Sequence, residues 1–234
     1  MPGSVFLIPT FLYENAVETI PPYVVDAVKQ CEVFFVENER TARRYLKLIW
    51  REMVIDNYKW FTIHKAETEV QQAFTQQLKE GKTIGIISEA GCPGVADPGQ
   101  ILVNVAHKTG ATLKPMVGPS SILLALMASG MNGQHFQFVG YLPIESGARK
   151  TALKELEGES ARKNCTQIFI ETPYRNNQLI KQIVDSCKPQ TQLCIAIDIT
   201  APTESILTKT VSEWKKQLPD IHKRLAIFLL WSDK

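Results

Sequence analysis

Short apolar runs alternate with amphipathic segments along almost the whole chain. Most of the runs are continuously apolar, as expected for β-strands that are buried on both faces of a sheet. The predicted strands are VFLIP (5–9), EVFFVE (32–37), YKWFTI (58–63), IGIIS (84–88), TLKPM (112–116), FQFVGYL (136–142), TQIFIET (166–172), QLCIAIDI (192–199) and RLAIFLLW (224–231).

The segments between these strands carry apolar residues at helical spacing, and several end on a glycine where a helix C-cap would lie. The predicted helices are YVVDAVKQC, RTARRYLKLI, TEVQQAFTQQLKEG, GQILVNVAHKTG, SSILLALMASG and PYRNNQLIKQIVDSC. This alternation predicts an α/β fold class. The strand TLKPM meets GPSS near the middle of the chain, so we predict two α/β domains, residues 1–117 and 118–234.

Composition narrows the class of protein without identifying a partner. The 234 residues are 44% hydrophobic and 21% charged, and the formal net charge is +2, so any basic surface must be local. The five cysteines form no CxxC pair, which indicates neither a disulfide framework nor a metal site. With no basic leader and no long apolar segment at the N-terminus, we expect a cytoplasmic protein that is not membrane-bound.

Two loops predict a ligand site. SEAGCPGVADPG (88–99) follows the strand IGIIS, and its glycines allow backbone to approach a ligand where a Cβ would block it. A tight connector that needs left-handed torsions is the alternative. MVGPSSILLAL (116–126) places two hydroxyls at a predicted helix N-terminus, where unpaired N–H groups can hold an anion. Neither GxxxxGK[ST], GxGxxG nor GxSxG is present, which argues against a P-loop, a dinucleotide or class I methyltransferase site and a hydrolase.

The glycine loop resembles the S-D-A-G-T-P-x-x-S-D-P-G segment of the ribosomal small-subunit methyltransferase I group. This group lies within the tetrapyrrole (corrin/porphyrin) methylase superfamily of class III S-adenosylmethionine-dependent methyltransferases. Further segments resemble the group in the same order along the chain: VENERTARRYL (36–46), VGPSS (117–121), GYLPIESGAR (140–149) and IFIETPYR (168–175).

The resemblance implies two α/β domains with S-adenosyl-L-methionine in the cleft between them, and a homodimer. It implies cofactor contacts from Glu89, Ala90, Gly91 and Cys92 on one side and from Ser120 and Ser121 on the other. Ile170 and Glu171 of the last motif, with Ala196 and Ala226 placed by strand position, are predicted to line the adenosine pocket.

Several residues depart from the group's motifs. The first loop, usually P-I-G-N-L, reads PTFLY (9–13) and lacks the glycine. L-P-R-K-K-G reads LPIESG, A-R-E-L-T-K reads AIDITA, and the aspartate of E-D-T-R is Asn38. Lost cations weaken the inference of an RNA substrate, because cations would contact RNA phosphates.

One basic stripe remains on a predicted helix. Its members, at spacings of three and four, are Arg40, Arg43, Arg44, Lys47 and Arg51. We predict that Arg40, Arg43 and Arg44 bind the substrate RNA, and a solvated face balanced by nearby glutamates is the alternative. A second cluster, Arg149, Lys150 and Lys154, is predicted to be a solvated face.

Few side chains are candidates for proton transfer. Glu89 and Glu171 are the candidate general bases, although Glu171 could instead form a structural ion pair with Arg175. His64 could orient substrate or simply end a strand.

The leading hypothesis is a methyltransferase that uses S-adenosyl-L-methionine to methylate a ribose 2′-hydroxyl of small-subunit ribosomal RNA. Its partners would then be ribosomal RNA or the small ribosomal subunit. Two alternatives are methylation of a tetrapyrrole-like or other small acceptor, and a cofactor-binding module without catalysis. A continuous positive surface would favour RNA, whereas an enclosed pocket would favour a small acceptor.

Overall fold

The structure of the chain is a computed structural model that describes residues 3–63 and 67–233. His64 lies outside these residues, so its predicted role has no structural counterpart here. The chain divides into two compact units, Met1–Ser120 and Ser121–Lys234. The proposed boundary between residues 117 and 118 falls just before this division.

The first unit is built on a five-stranded sheet. Its strands are β1 (Ser4–Ile8), β2 (Val33–Val36), β3 (Lys59–Thr62), β4 (Ile84–Ile87) and β5 (Thr112–Pro115). The strand order is β3-β2-β4-β1-β5, and every pair is parallel. The carboxyl ends of all five strands therefore lie at one edge of the sheet.

Helices cover both faces of this sheet. They are α1 (Tyr23–Gln30), α2 (Glu39–Ile49), α3 (Glu67–Lys79) and α4 (Gln100–Lys108). Helices α1 and α2 pack with Phe34 in one core cluster, and α3 and α4 pack with Phe35 in another. Phe34 and Phe35 are consecutive in β2 and both are fully buried, which explains why the strand is continuously apolar.

The second unit contains a mixed five-stranded sheet. Its strands are β6 (Phe136–Tyr141), β7 (Thr166–Ile170), β8 (Gln192–Ile197), β9 (Ser205–Thr210) and β10 (Ala226–Trp231), and its helices are α5 (Ser121–Ser129), α6 (Ser146–Lys163), α7 (Asn176–Ser186) and α8 (Val211–Lys216). The strand order is β6-β7-β10-β8-β9, in which β6 and β7 are parallel and the other pairs are antiparallel. Residues of α6, α7 and α8 form one core cluster with one face of this sheet.

The predicted α/β class is confirmed, and all of the predicted strands are present. Strand β9 and helices α6 and α8 were not predicted. The buried face of α6 carries three polar residues, Arg149, Glu157 and Ser160, so the helix lacks a clear apolar stripe. The final predicted helix begins at Asn176 rather than near Pro173, after a turn.

Across residues 3–63 and 67–233, none of the helices combines the length and the apolar character that a membrane crossing requires.

Candidate active site

Loops from three adjacent strands of the first unit meet at the carboxyl edge of its sheet. Strand β1 lies between β4 and β5, so the loop after β1 is flanked by the glycine loop and by the VGPSS turn. In open α/β sheets, ligands bind outside the carboxyl ends of the strands. The two loops that the sequence marked as ligand-binding thus lie on either side of the loop that departs most from the family motif.

A short β-bridge joins the first loop to the glycine loop. Thr10 N–H donates to the Gly91 carbonyl at 2.9 Å, and Gly91 N–H donates to the Thr10 carbonyl at 3.2 Å. Gly91 has a φ of +73°, and a Cβ built there would lie 3.3 Å from both the Pro119 carbonyl oxygen and Leu12 Cδ2. The position therefore favours glycine for its torsion and for the close approach of two other loops.

The VGPSS turn is held against the same loops. Cys92 Sγ lies 3.6 Å and 3.5 Å from the carbonyl oxygens of Gly118 and Pro119. The backbone of Val117 donates to the Tyr23 hydroxyl at 2.7 Å, which ties the turn to the start of α1. Ser120 ends the first unit and Ser121 begins α5, and both are half-buried. The glycine loop and the start of the turn are thus brought together within the first unit.

A cavity of about 190 Å³ opens at this edge of the first unit. It is lined by the first loop, by α2 and by the end of β4 with its loop: Thr10, Phe11, Leu12, Glu14, Thr41, Ala42, Arg44, Tyr45, Ser88, Glu89 and Ala90. Three segments that were quoted separately from the sequence thereby share one concave surface. The cavity combines carboxylates, an arginine and a hydroxyl with an apolar wall.

Glu89 is anchored at the rim of this cavity. The Thr41 hydroxyl donates to Glu89 Oε1 at 2.5 Å, and Glu89 N–H donates to Glu37 Oε1 at 2.9 Å. Burial raises the pKa of Glu37, and the nearby charges of Asp97 and Glu89 raise it further. Glu89 is exposed, so its carboxylate is accessible to a ligand.

Asp97 organises the remainder of the glycine loop. Its two carboxylate oxygens accept N–H groups from Gly94 at 2.8 Å and Gly99 at 2.6 Å. Burial raises the pKa of Asp97, although these backbone donors counteract the shift. The aspartate thus closes the loop on itself, which is a structural role.

The predicted basic stripe lies on α2 except for Arg51, which follows the end of the helix, and it does not act as one surface. Asn38 caps the helix, with its side chain accepting from the backbone of Arg40 and Thr41. Arg44 pairs with Glu14 at 2.8 Å and lines the cavity, and Arg40 is exposed. Arg43 instead pairs with Glu39 and lies 5.1 Å over the ring of Trp60. We therefore separate Arg40 and Arg44, which face outward, from Arg43, which packs on the fold.

The predicted adenosine-pocket residues of the second unit lie on two faces of its sheet. Ile170 and Ala196 both pair with Ile227, so their side chains share one face. Ala226 pairs with Ile197 and packs against the core cluster on the opposite face. A pocket on the first face could therefore contact Ala226 only through its backbone.

Glu171 is engaged in buried ion pairs. Its side chain is 1% exposed, and its Oε1 accepts from Arg175 Nε at 2.9 Å and Nη2 at 2.6 Å. On its other side, Arg149 Nη1 lies 3.7 Å from Glu171 Oε2, and the Arg149 side chain is fully buried. Glu171 therefore forms the structural ion pair that was the alternative to a role in proton transfer. Of the two candidate general bases, only Glu89 has an accessible carboxylate. The solvated face expected for Arg149 was wrong, because α6 turns this arginine into the core.

A larger cavity, of about 400 Å³, lies in the second unit between α7 and α8. Its lining includes Cys187, whose pKa burial raises to about 12, so the thiol stays protonated and unreactive. None of the motif residues lines it. We therefore place the candidate site at the smaller cavity of the first unit.

The residues at this site fit part of a cofactor such as S-adenosylmethionine. Ala90 is exposed, and neither its N–H group nor that of Cys92 donates to an acceptor within the described part of the chain. Gly91 between them adds no side chain. Free backbone donors beside a glycine are suited to a polar ligand. Among residues 3–63 and 67–233, no group of three or more histidine, cysteine, aspartate or glutamate side chains is placed to hold a metal ion.

The sequence did not single out all of the cavity residues. Thr41 lies within the quoted segment VENERTARRYL, one residue after the predicted Arg40, and Thr10 lies in the divergent first loop. Their membership in quoted motifs was a signal that they lie near the site. The residues that Thr10 and Thr41 contact depend on the strand order of the sheet, which could not be predicted from the sequence.

Curated relatives share sequence with most of the chain. The ribosomal RNA small subunit methyltransferase I of Vibrio cholerae is 32% identical over 66% of this chain and 53% of that protein. The same-named protein of Escherichia coli O157:H7 is 29% identical over 92% of this chain and 73% of its own length. That of Halalkalibacterium halodurans is 28% identical over 90% of this chain and 69% of its own. The chain thus spans between half and three quarters of the length of these relatives.

Solved structures share the fold. The methyltransferase CobJ has a TM-score of 0.65 at 15% identity, over 98% of this chain and 94% of that chain. A diphthine synthase has a TM-score of 0.66 at 11% identity, over 98% and 90%. A uroporphyrin-III C-methyltransferase from Thermus thermophilus, complexed with S-adenosylhomocysteine, has a TM-score of 0.56 at 14% identity, over 98% of each chain.

The fold and the loop cluster define the class as a two-sheet α/β protein with a candidate ligand site at the carboxyl edge of its first sheet. Residues 16–215 match the family of Tetrapyrrole (Corrin/Porphyrin) Methylases, and the chain belongs to this family. This confirms the family that the motifs indicated and the predicted enzyme class, an S-adenosylmethionine-dependent methyltransferase.

Proposed function

We propose that this protein methylates a ribose 2′-hydroxyl of small-subunit ribosomal RNA. The observation that carries the proposal is the placement of Arg44, Thr41 and Glu89 around one cavity beside the glycine loop. A cation, a hydroxyl and an accessible carboxylate are the groups that RNA phosphate and a ribose hydroxyl would require. The names of the curated relatives support the same substrate.

The cofactor contacts remain the ones implied by the motifs. Glu89, Ala90, Gly91, Cys92 and Ser120 of the first unit would contact S-adenosylmethionine. When bound, this cofactor supplies an electrophilic methyl group on a sulfonium. The backbone N–H groups of Ala90 and Cys92 support this assignment, because they have no acceptor among residues 3–63 and 67–233 and could bind a polar ligand.

Glu89 would act as the general base. A ribose hydroxyl is a weak nucleophile, and its oxygen must lose a proton as it gains the methyl group. The Thr41 hydroxyl fixes one oxygen of Glu89, and a carboxylate has further lone pairs with which to accept the ribose proton. Arg44 and Arg40 would hold neighbouring phosphates, which gives affinity with little base specificity.

The proposal predicts methyl transfer from labelled S-adenosylmethionine to small ribosomal subunits that lack the modification. We expect the label in the RNA, and in a nucleoside whose 3′ linkage resists alkaline cleavage, because a 2′-O-methyl group blocks attack by that oxygen. Label that alkaline hydrolysis releases in mononucleotides, and not in alkali-resistant dinucleotides, would contradict the ribose assignment. Label in a small acceptor but never in the subunits would instead favour the small-acceptor alternative, and no transfer despite cofactor binding would favour the non-catalytic one.

We also propose a homodimer that acts in the cytoplasm. The dimer is implied by the family resemblance. Light scattering at micromolar concentration would test it, and a mass near the 26.3 kDa of a single chain would contradict it.

A further inference from the structure

Two loops of the second unit are braced against each other at one end of its sheet. Residues 171–177 follow β7, and residues 220–225 precede β10. Lys223 N–H donates to the Pro173 carbonyl at 3.0 Å, and Asn176 Nδ2 donates to the Arg224 carbonyl at 2.7 Å. Ile221 N–H donates to Asn177 Oδ1 at 2.9 Å. Three contacting residues on each side thus join the two segments, which are not independent connectors.

A buried charge cluster anchors the first of these loops from below. Glu171 accepts Thr172 N–H at 2.6 Å in addition to the Arg175 guanidinium, and Arg149 lies on its other side. Removing such groups from water costs several kcal/mol per ion. The ion pairs of Glu171 with Arg175 and Arg149 therefore hold the start of this loop in place.

The outer side of the braced loops presents two aromatic rings. Tyr174 is 70% exposed, and His222 is exposed beside it. Their ring centroids are 5.9 Å apart at an interplanar angle of 70°. This edge-to-face arrangement leaves a face of Tyr174 open to a ligand.

A strained cation lies next to the rings. Lys223 has a φ of +64°, a left-handed conformation that costs a non-glycine residue free energy. Lys223 is exposed and forms no ion pair within the described part of the chain. Asp220, by contrast, is held by Asn177 at 2.7 Å. The surface that results combines two exposed aromatic rings with an exposed cation.

We propose that Tyr174 and His222 form a stacking platform for one unpaired base of the RNA substrate, with Lys223 at a neighbouring phosphate. This inference rests on the proposed function, because it assigns a subsite for that same RNA. Unpaired bases bind proteins by stacking on exposed aromatic rings, and a fixed ring binds at a lower cost in conformational entropy than a mobile one.

The test compares Tyr174→Ala, Tyr174→Phe and a matched control, Tyr141→Ala. Tyr141 is 62% exposed in β6 and lies outside both braced loops. With a fluorescent single-stranded oligonucleotide of small-subunit ribosomal RNA as the probe, we expect Tyr174→Ala to bind on the order of ten-fold more weakly. Tyr174→Phe retains the ring and should bind as the wild type does, and so should Tyr141→Ala.

Two further readouts separate stacking from a structural effect. Affinity for S-adenosylmethionine, measured by calorimetry, should be unchanged in Tyr174→Ala. Lys223→Gln should lower the log–log salt slope of RNA binding by about one unit. Methylation of small subunits by Tyr174→Ala should show a raised KM with kcat nearly unchanged.

Four results would overturn the platform. If the wild type binds and methylates the RNA but Tyr174→Ala binds it equally well, the platform is wrong and the proposed function stands. An equal loss in Tyr174→Phe would mean that the hydroxyl, not the ring, is used. A wild type that neither binds nor methylates RNA would overturn both proposals, and a change of mass in Tyr174→Ala would assign the surface to a second copy of the chain.

Discussion

Thr10 and Gly91 exchange both of their backbone hydrogen bonds, at 2.9 Å and 3.2 Å, and thereby fix the loop after β1 to the loop after β4. The first loop has lost the glycine of its family motif, yet this bridge uses only main-chain atoms and so does not depend on the lost residue. Phe11 further packs edge-on against Tyr45, with centroids 5.3 Å apart. The altered loop is therefore an ordered part of the site.

Gly91→Val should abolish most of the affinity for S-adenosylmethionine. The valine would have to adopt a φ of +73° with its Cβ only 3.3 Å from the Pro119 carbonyl oxygen. We expect at least a ten-fold loss of affinity and a fall in Tm of a few degrees, from a strain of about 1–2 kcal/mol. Calorimetric titration and thermal unfolding measure the two effects.

Gly133→Val is the matched control, because a Cβ at Gly133 would meet nothing within 4 Å. This variant should bind the cofactor normally. A folded Gly91→Val protein with wild-type affinity would defeat the assignment of the glycine loop to the cofactor.

Glu89→Gln should lower kcat by about 10²–10⁴-fold, if Glu89 accepts the ribose proton. Glutamine can still accept the Thr41 hydroxyl, so the local geometry should survive. Single-turnover methylation of small subunits would measure the rate, and calorimetry would check that the cofactor still binds. An unchanged rate in Glu89→Gln would mean that water or another group, and not Glu89, accepts the ribose proton.

Arg40→Gln with Arg44→Gln should weaken RNA binding and lower its log–log salt slope by about two units, one for each phosphate contact. Both arginines face outward on α2, and Arg44 also lines the cavity. Arg43→Gln is the internal control, since Arg43 pairs with Glu39 and covers Trp60. It should affect stability more than RNA binding. An unaltered slope in the double variant would mean that α2 presents only a solvated face.

The sequence predicted the strands well because both faces of most of them are buried. Phe34 and Phe35 illustrate this, since each is fully buried in a different core cluster. Strand β9 was missed because it is an edge strand of mixed polarity, with Leu207 exposed. Helix α6 was missed because polar residues occupy its buried face.

The candidate site was predictable as a set of loops but not as a set of contacts. The glycine loop and the VGPSS turn were both expected to bind the cofactor, and the structure brings Cys92 to Gly118. The environment of individual charged residues was not predictable, because Arg149 is buried beside Glu171 and Arg43 packs on Trp60, and both partners are distant in sequence. The charge of a residue does not indicate whether its side chain pairs with a buried group or is solvated.

Arg149→Met should destabilise the second unit strongly. It removes one partner of a pair in which both side chains are essentially buried, which typically costs about 3–5 kcal/mol. The double variant Arg149→Met with Glu171→Met should recover part of this loss, because it also removes the buried carboxylate and leaves only Arg175, which is partly exposed, without its partner. Urea unfolding measures both. A loss below about 1 kcal/mol in Arg149→Met would show that solvent reaches this cluster.

Glu37→Gln should stabilise the protein at neutral pH. Burial, followed by the charges of Asp97 and Glu89, raises the pKa of Glu37 above its ordinary value of 4.5. A carboxyl with a raised pKa in the folded state binds more protons there than in the unfolded chain, so its ionisation lowers stability as the pH rises. Glutamine removes that penalty while its carbonyl can still accept the Glu89 N–H. Thermal unfolding between pH 4 and pH 8 would measure the difference in Tm between the variant and the wild type.

Glu32→Gln is the control of opposite sign. The Lys82 ammonium donates to Glu32 Oε1 at 2.7 Å, and this hydrogen bond lowers the pKa of Glu32. Its contribution to stability is therefore present above pH 4.5 and is lost as the pH falls through the lowered pKa. Glu32→Gln should be less stable than the wild type at pH 7, and Glu37→Gln more stable, with both differences shrinking toward acidic pH. If Glu37→Gln is less stable than the wild type at pH 7, the carboxylate of Glu37 stabilises the glycine loop through its charge, and burial is not the dominant cause.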